Sequence, residues 1–344
     1  MSRLSLFARA ALAALPAFVA LPTPASVLTL SRQDDATAIV RDAASGDVTS
    51  GVLAASSDRL LVPLGALAAD DAHHLLYVAV APDPAGAMPG APVAIVPIAY
   101  GASPVPSGTV VAPDGMTVAA LAFDAPASRL VGLFVDPAGI AQAQIFSVAT
   151  HGGTALDPPV TTPAMGGCCR FAAGIAAWRA TSEDLLMVGR RDGDTEDQLL
   201  RFDFASGLAL TDAYPIAGDH VVALAVDAAD SNVYAVLRSA LDFTYLARVT
   251  WSTPGSPVTL SAIGSAPATC CFVGTGPGAI DGALGARAMH VFGKDAATPA
   301  AMQLYAFDLA SGNPTVVNAA TDGYGLWTDG AAVVDDVIFA DGFD

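Results

Sequence analysis

All four cysteines of the chain stand in two adjacent pairs, Cys168–Cys169 in MGGCCRF and Cys270–Cys271 in PATCCFV. The first cysteines of the pairs are 102 residues apart, and each pair precedes an apolar run that carries glycine. In an oxidising compartment such thiols become disulfides, and three pairings are open to four cysteines. Adjacent cysteines can close on themselves as vicinal disulfides, or bridges can join the two loops. Metal binding by the thiolates is disfavoured, because no C-x-x-C spacing occurs.

Two other groups have side chains able to do chemistry. In RRDGDTEDQ (190–198), Asp192, Asp194 and Glu196 alternate as the first ligands of a calcium loop do, since alternate residues of a turning loop can aim oxygens at one centre. The glycine and the final glutamate of an EF-hand loop are missing, so calcium competes with a solvated acidic loop partly neutralised by Arg190 and Arg191. His220, in AGDHVV, has Asp219 beside it and is the histidine best placed to line a ligand site. Arg170, which follows the first cysteine pair, and Asp114 and Asp322 in comparable loops extend that polar rim. His73 and His74 fall in a turn, and His290 falls mid-strand, where packing is expected. With no G-x-S-x-G, H-E-x-x-H or phosphate-cradling glycine motif, the chain offers a binding rim without an enzyme signature.

The N-terminal stretch MSRLSLFARAALAALPAFVALPTPAS carries Arg3 and Arg9, an apolar run over 10–21 and small residues at Thr23 and Ala25. This pattern predicts a secretory signal peptide, residues 1–25, cleaved after Ala25, and hence a periplasmic or extracellular protein. As a membrane anchor it is too short, since a spanning helix needs roughly 20 apolar residues. No cysteine follows the run to carry a lipid. Cleavage removes two arginines and no acids, moving the formal charge from -18 to -20. Lys294 is the single lysine, so nucleic acid and anionic membrane surfaces, which demand clustered cations, are excluded as partners. Charged residues make up 14% of the chain, against about 25% in ordinary globular proteins. Hydrophobic residues reach 53% with no spanning run beyond the leader, which requires a large folded core and fits a monomer over 26–344.

The elements that must position these residues are strands in repeating order. VAALAFDAPASRLVGLFVD (118–136), AGIAAWRATSEDLLMVGRRD (173–192) and VVALAVDAADSNVYAVLRS (221–239) resemble one another, with fainter copies at 64–83 and 277–295. Each is an apolar strand, a polar turn and a second apolar strand, the signature of a hairpin. A third strand follows in VAIVPIA, AQIFSVA, LLRFDFASG, YLARVTW and LYAFDLASG. In the two FDxASG copies aspartate followed by Ser-Gly makes a turn into a fourth strand, LALTDAY or NPTVVNA. Four strands at a period of roughly 50 residues is the arithmetic of a β-propeller blade. AIVRDAASGDVTSGV (38–52) supplies a third and a fourth strand, and GLWTDGAAVVDDVIFADGFD a first and a second. The termini are therefore expected to share one blade of an all-β, six-bladed propeller closed by pairing of N- and C-terminal strands, which leaves no open edge. A pair of β-sandwiches would also give short, regularly spaced strands, but need not repeat in phase.

In such a ring the cysteine pairs occupy equivalent loops two blades apart, farther than the roughly 4.4–6.8 Å between Cα atoms that a disulfide spans. Vicinal disulfides are therefore expected, either fixing a tight turn or offering an apolar platform to a ligand. LYAFDLASG, LLRFDFASG and IVRDAASG resemble the outer part of quinoprotein and YVTN-type propeller repeats over about ten residues. That resemblance implies a propeller whose cofactor, in the dehydrogenases, sits against a vicinal cysteine pair. The quinoprotein repeat closes with a tryptophan that is absent after Gly46, Gly207 and Gly312, which argues against pyrroloquinoline quinone. VIFADGFD (337–344) is similar to a short terminal tail of secreted gammaproteobacterial proteins. The resulting expectation is an exported, non-catalytic propeller that binds a small molecule, glycan or protein, with calcium as a candidate cofactor. The alternative is a propeller enzyme of lactonase or oxidoreductase type with a metal or cofactor in the central funnel.

Overall fold

The computed structural model describes residues 26–335 except 33–36, 43–52, 55–58, 62–66, 71–74, 83–93, 100–109, 112–115, 125, 137–140, 148–153, 156–159, 162–169, 191–194, 206–208, 242, 265–270, 274–275, 281–286, 296–301 and 318–328. These residues form six sheets, numbered I to VI in chain order. Sheet I begins with β1 (Ser26–Arg32), β2 (Thr37–Asp42) and β3 (Leu53–Ala54). Sheet II holds β4 (Arg59–Leu61), β5 (Leu67–Asp70), β6 (Leu75–Pro82), β7 (Ala94–Ala99) and β8 (Val110–Val111). Sheet III holds β9 (Thr117–Asp124), β10 (Arg129–Val135), β11 (Ala141–Ser147), β12 (Thr154–Ala155) and β13 (Val160–Thr161). Sheet IV holds β14 (Arg170–Arg179), β15 (Asp184–Arg190), β16 (Gln198–Asp203) and β17 (Ala209–Pro215). Sheet V holds β18 (His220–Val226), β19 (Val233–Arg238), β20 (Thr244–Thr250) and β21 (Thr259–Ala262). Sheet VI is built from β22 (Cys271–Val273), β24 (Ala279–Ile280), β25 (Ala288–Asp295), β26 (Met302–Asp308) and β27 (Pro314–Val317). The intervening β23 (Gly276–Pro277) pairs in parallel with β18 of sheet V, and β28 (Asp329–Asp335) returns to sheet I.

The hairpins and third strands expected from the repeat are all present, and every sheet is antiparallel apart from the β18–β23 contact. First strands lie side by side: β28 against β5, β5 against β9, β9 against β14, β14 against β18, β18 against β24, and β24 against β28. Core clusters sit between neighbouring sheets. In β10, Leu130 and Phe134 face sheet II, while Val131 and Leu133 face sheet IV. Burial on both faces explains why these strands read as continuous apolar runs rather than as alternating ones, and where the 53% of hydrophobic residues go.

One expectation is corrected. The shared sheet divides one strand from three: β28 is the first strand, and β1 is the second, paired with it from Ser26↔Asp335 to Arg32↔Asp329. The C-terminus therefore contributes one described strand instead of two. SVLTLSR reads as a short strand, but carries no D-x-x-S-G sequence like those that follow β2, β16 and β26. Residues 325–328 and 337–344 lie outside the described residues.

At the lower face, where first and second strands are joined, Ser128, Glu183 and Ser231 take left-handed backbone at matching places in three turns. Buried carboxylates close these turns. Asp124 ends β9 and is met by Arg129 Nε at 2.6 Å. In sheet IV the polarity reverses: Arg179 ends β14, and Asp184 opens β15 at 2.9 Å from Arg179 Nε. In sheet V the cation comes from the next sheet, Arg287 Nη1 lying 2.5 Å from Asp227 Oδ2. At the turns after third strands, Asp203 and Asp308 accept the amides of Ala205 and Ala310, as the FDxASG pattern predicts.

Candidate functional site at the upper face of sheets IV and V

The opposite, upper face carries the starts of first strands and the links from second to third strands. Asp197 immediately precedes β16, and its carbonyl accepts the amide of Ile216 at 2.8 Å, which fixes the loop against the end of β17. Arg190, the last residue of β15, donates from Nε (3.1 Å) and Nη2 (2.7 Å) to Asp197 Oδ1. The other oxygen faces the next sheet, where Nδ1 of His220 is 3.5 Å from Oδ2. A carboxylate of sheet IV thus orients the imidazole that opens sheet V, and 58% of that side chain remains exposed.

His220 enters β18 through a turn in which Gly218 has φ +93°, a conformation that glycine adopts without steric cost. Asp219 accepts a hydrogen bond from the hydroxyl of Tyr245. Burial and then the Asp219 contact push the Tyr245 hydroxyl above its ordinary range, so it stays a neutral donor. Arg238 stands directly opposite His220 in the β18–β19 ladder. Next comes a tight loop in which Ser239 Oγ accepts the amides of Leu241 and Phe243. Its tip presents Leu241, 77% exposed.

Of the residues singled out in the sequence, Asp219 and His220 fall in this cluster. Arg170 opens β14 opposite Arg190. Glu196 is exposed one residue before Asp197, and its proposed calcium partners Asp192 and Asp194 lie outside the described residues. Among the described residues no group of three or more histidine, cysteine or acidic side chains is arranged to hold a metal. Asp114, Asp322, Cys168, Cys169 and Cys270 also lie outside them. Cys271 opens β22, opposite Asp295. His290 is packed in β25 as expected, 8% exposed. Sequence reading missed Asp197, Tyr245 and Arg238 as members of the site. The sequence groups Arg190 with the acidic loop at large, whereas its described partner is Asp197.

Both cysteine pairs precede an interrupted first strand. In β14, Phe171 pairs Gly189 and Ala176 pairs Met187, leaving 172–175 as a wide bulge. In sheet VI, β22 and β24 each pair β25 with an insert between them. Cys271 pairs Asp295 at the start of this interrupted strand, and Val273 pairs Gly293 much as Phe171 pairs Gly189. The insert in sheet VI contains β23, which pairs β18 in the register Ala223↔Gly276 and also lies against β14 and β28. Contact with first strands on both sides carries Gly276–Pro277 across the middle of the assembly. The amide of Gly278 donates to the carbonyl of Leu224 at 3.3 Å and anchors it there.

Chemically, the cluster offers a donor fork, an oriented imidazole, a tyrosine hydroxyl and two carboxylates. Among the described residues the hydrogen-bond partner of His220 is Asp197.

No family model matches the chain, and neither does any curated protein. Solved structures do resemble it. TolB from Acinetobacter baumannii superposes with a TM-score of 0.51 at 11% identity, over 90% of this chain and 66% of that one. A putative TolB from Agrobacterium tumefaciens (TM-score 0.45, 9% identity, 85% and 88% coverage) is also similar. So is the β-propeller domain of the Trilobed protease from Pyrococcus furiosus (0.41, 10%, 76% and 73%). At such identities the likeness is one of fold, and that to the Acinetobacter TolB, with the repeated four- and five-stranded antiparallel sheets, makes this chain an all-β propeller protein.

Proposed function

We propose that this chain is an exported, non-catalytic six-bladed propeller, closed where β28 joins β1, that binds a small molecule, glycan or protein at the upper face of sheets IV and V. Closure is supported by the order of first strands, in which β28 lies between β5 and β24. Export is supported by the leader-like pattern of 1–25. The observation that carries the binding reading is the meeting of Asp197 and His220 across the boundary between two sheets, with the imidazole left exposed. A ligand seated in the axial funnel would have to displace Gly276–Pro277, which favours the off-axis site over a central cofactor.

The test is a nuclear magnetic resonance screen of glycans, peptides and small molecules against the labelled chain. Amide shifts from binders should cluster around Asp197, Asp219, His220 and Tyr245. His220→Ala should abolish them with little change in melting temperature, because the side chain is mostly solvated. Shifts clustering instead on β23 or on the lower-face turns would overturn the assignment.

A further inference from the structure

The chain is poor in cations, 15 lysines and arginines against 33 acids, and five of its arginines are spent on carboxylates among the described residues. Arg129, Arg179, Arg190, Arg201 and Arg287 each bond a carboxylate, and Arg248 bonds the amide oxygen of Asn232. Arg238 has no hydrogen-bond or ion-pair partner among the described residues. It stands directly opposite His220, and one sheet away Arg170 stands directly opposite Arg190, at the same ends of their sheets. Cation-forming residues directly opposite one another on adjacent strands disfavour the fold, and an acidic protein has no shortage of carboxylates to relieve them. Asp197 relieves Arg190 and also meets His220, but Arg238 has no such contact among the described residues, and a local rule left broken marks a functional position. Asp197 bonds Arg190 and meets Nδ1 of His220, and Asp219 is bonded by Tyr245, which leaves the guanidinium of Arg238 and Nε2 of His220 for an outside anion. Leu241, three residues after Arg238 and 77% exposed, adds an apolar surface on a loop held in shape by Ser239.

We infer that Arg238 and His220 form a site for a small carboxylate-bearing ligand whose adjoining apolar group rests on Leu241. Arginine presents paired donors in the fork geometry that a carboxylate accepts, and the imidazole supplies a further donor at the opposite strand. The inference rests on the upper-face reading above and specifies its ligand.

The probe is octanoate, titrated into the purified chain by calorimetry and by amide shifts, with octylamine and octanol as comparators. Octanoate should saturate one site, with shifts confined to the ends of β18 and β19 and the loop between β19 and β20, while octylamine leaves these residues unmoved. Arg238→Gln should weaken octanoate about tenfold or more, the usual worth of a charged hydrogen bond, and Arg238→Lys should restore part of the loss. Leu241→Ser should remove the preference for octanoate over butanoate and leave butanoate itself unchanged. Absence of saturable octanoate binding, or binding that Arg238→Gln does not alter, overturns the inference. If octylamine or octanol moves His220 and Tyr245 while octanoate does not, the carboxylate class is wrong and the upper-face site stands. If none of the three moves them and the ligand screen maps elsewhere, both readings fall.

Discussion

The carboxylate of Asp184 shows how single residues set stability in this chain. It is fully buried and receives Arg179, Arg201 (Nε at 2.6 Å) and Ser182 (3.0 Å). Burial pushes its pKa up, but the hydrogen bonds from Arg179 and Arg201, with that from Ser182, hold it below the ordinary 3.8. The folded state therefore favours the ionised form. Its stabilisation is present in full above the ordinary value and is lost as pH falls below 3.8 through the folded one. Asp184→Ala removes one side of a buried ion pair and should cost about 3 kcal/mol at neutral pH. In urea melts at falling pH, the gap between wild type and variant should shrink below about pH 4; a gap constant to pH 2 would place the energy in packing. The Arg129–Asp124 and Arg179–Asp184 pairs could each be guessed from a five-residue spacing in the sequence, although the reversal of sign between the two hairpins hides their equivalence.

At the scale of elements, the sheets are tied by side chains and backbone at the lower face. Arg129 reaches Glu183 of the next sheet at 2.7 Å, Thr181 meets Ser231 at 3.2 Å, and Arg287 of sheet VI holds Asp227 and Asp230 of sheet V. Arg287→Ala strands the fully buried Asp227 and should destabilise by about 3 kcal/mol, whereas Asp230→Ala, which removes the outer 3.5 Å contact, should cost well under 1 kcal/mol. Equal losses would mean the latch is not asymmetric. Backbone contact does similar work between sheets V and VI. Gly312 has φ +72°, and a Cβ there would lie 2.0 Å from the carbonyl oxygen of Ile263. Gly312→Ala should therefore cost more than the roughly 1–2 kcal/mol of left-handed backbone alone. Gly207, in the other FDxASG turn, lies outside the described residues, so chemical denaturation of Gly312→Ala is the test of the motif.

For the molecule as a whole, β1 is the element whose loss matters most, since it joins the C-terminal β28 to the N-terminal β2. A chain lacking residues 26–32 should lose cooperative unfolding or melt well below the intact chain; an unchanged melting temperature would mean that the terminal sheet contributes nothing to stability and that the proposed closure is wrong. The cysteines are decided by non-reducing peptide mapping. Vicinal pairs close loops too small to remove much unfolded-state entropy, so reduction should scarcely lower the melting temperature. A bridge from Cys168 or Cys169 to Cys270 or Cys271 closes a loop of about 100 residues, worth about 4.7 kcal/mol in the chain-entropy model. A peptide carrying Cys168 joined covalently to one carrying Cys270 would refute the vicinal assignment.

Strand identity, the hairpin repeat, the aspartate-led turns and the propeller class were legible in the amino-acid order, because alternation, apolar runs and turn chemistry act between residues a few positions apart. The place of His220 and Asp219 at the start of an apolar strand was legible too. The rest required the folded chain. Tyr245 reaches Asp219 across 26 positions, His220 reaches Asp197 across 23 and Arg287 reaches Asp227 across 60. Gly276–Pro277 leaves its own sheet for the first strands around it. Such contacts follow from how successive sheets stack and turn about one another, and that geometry leaves no periodic trace in the residues it brings together.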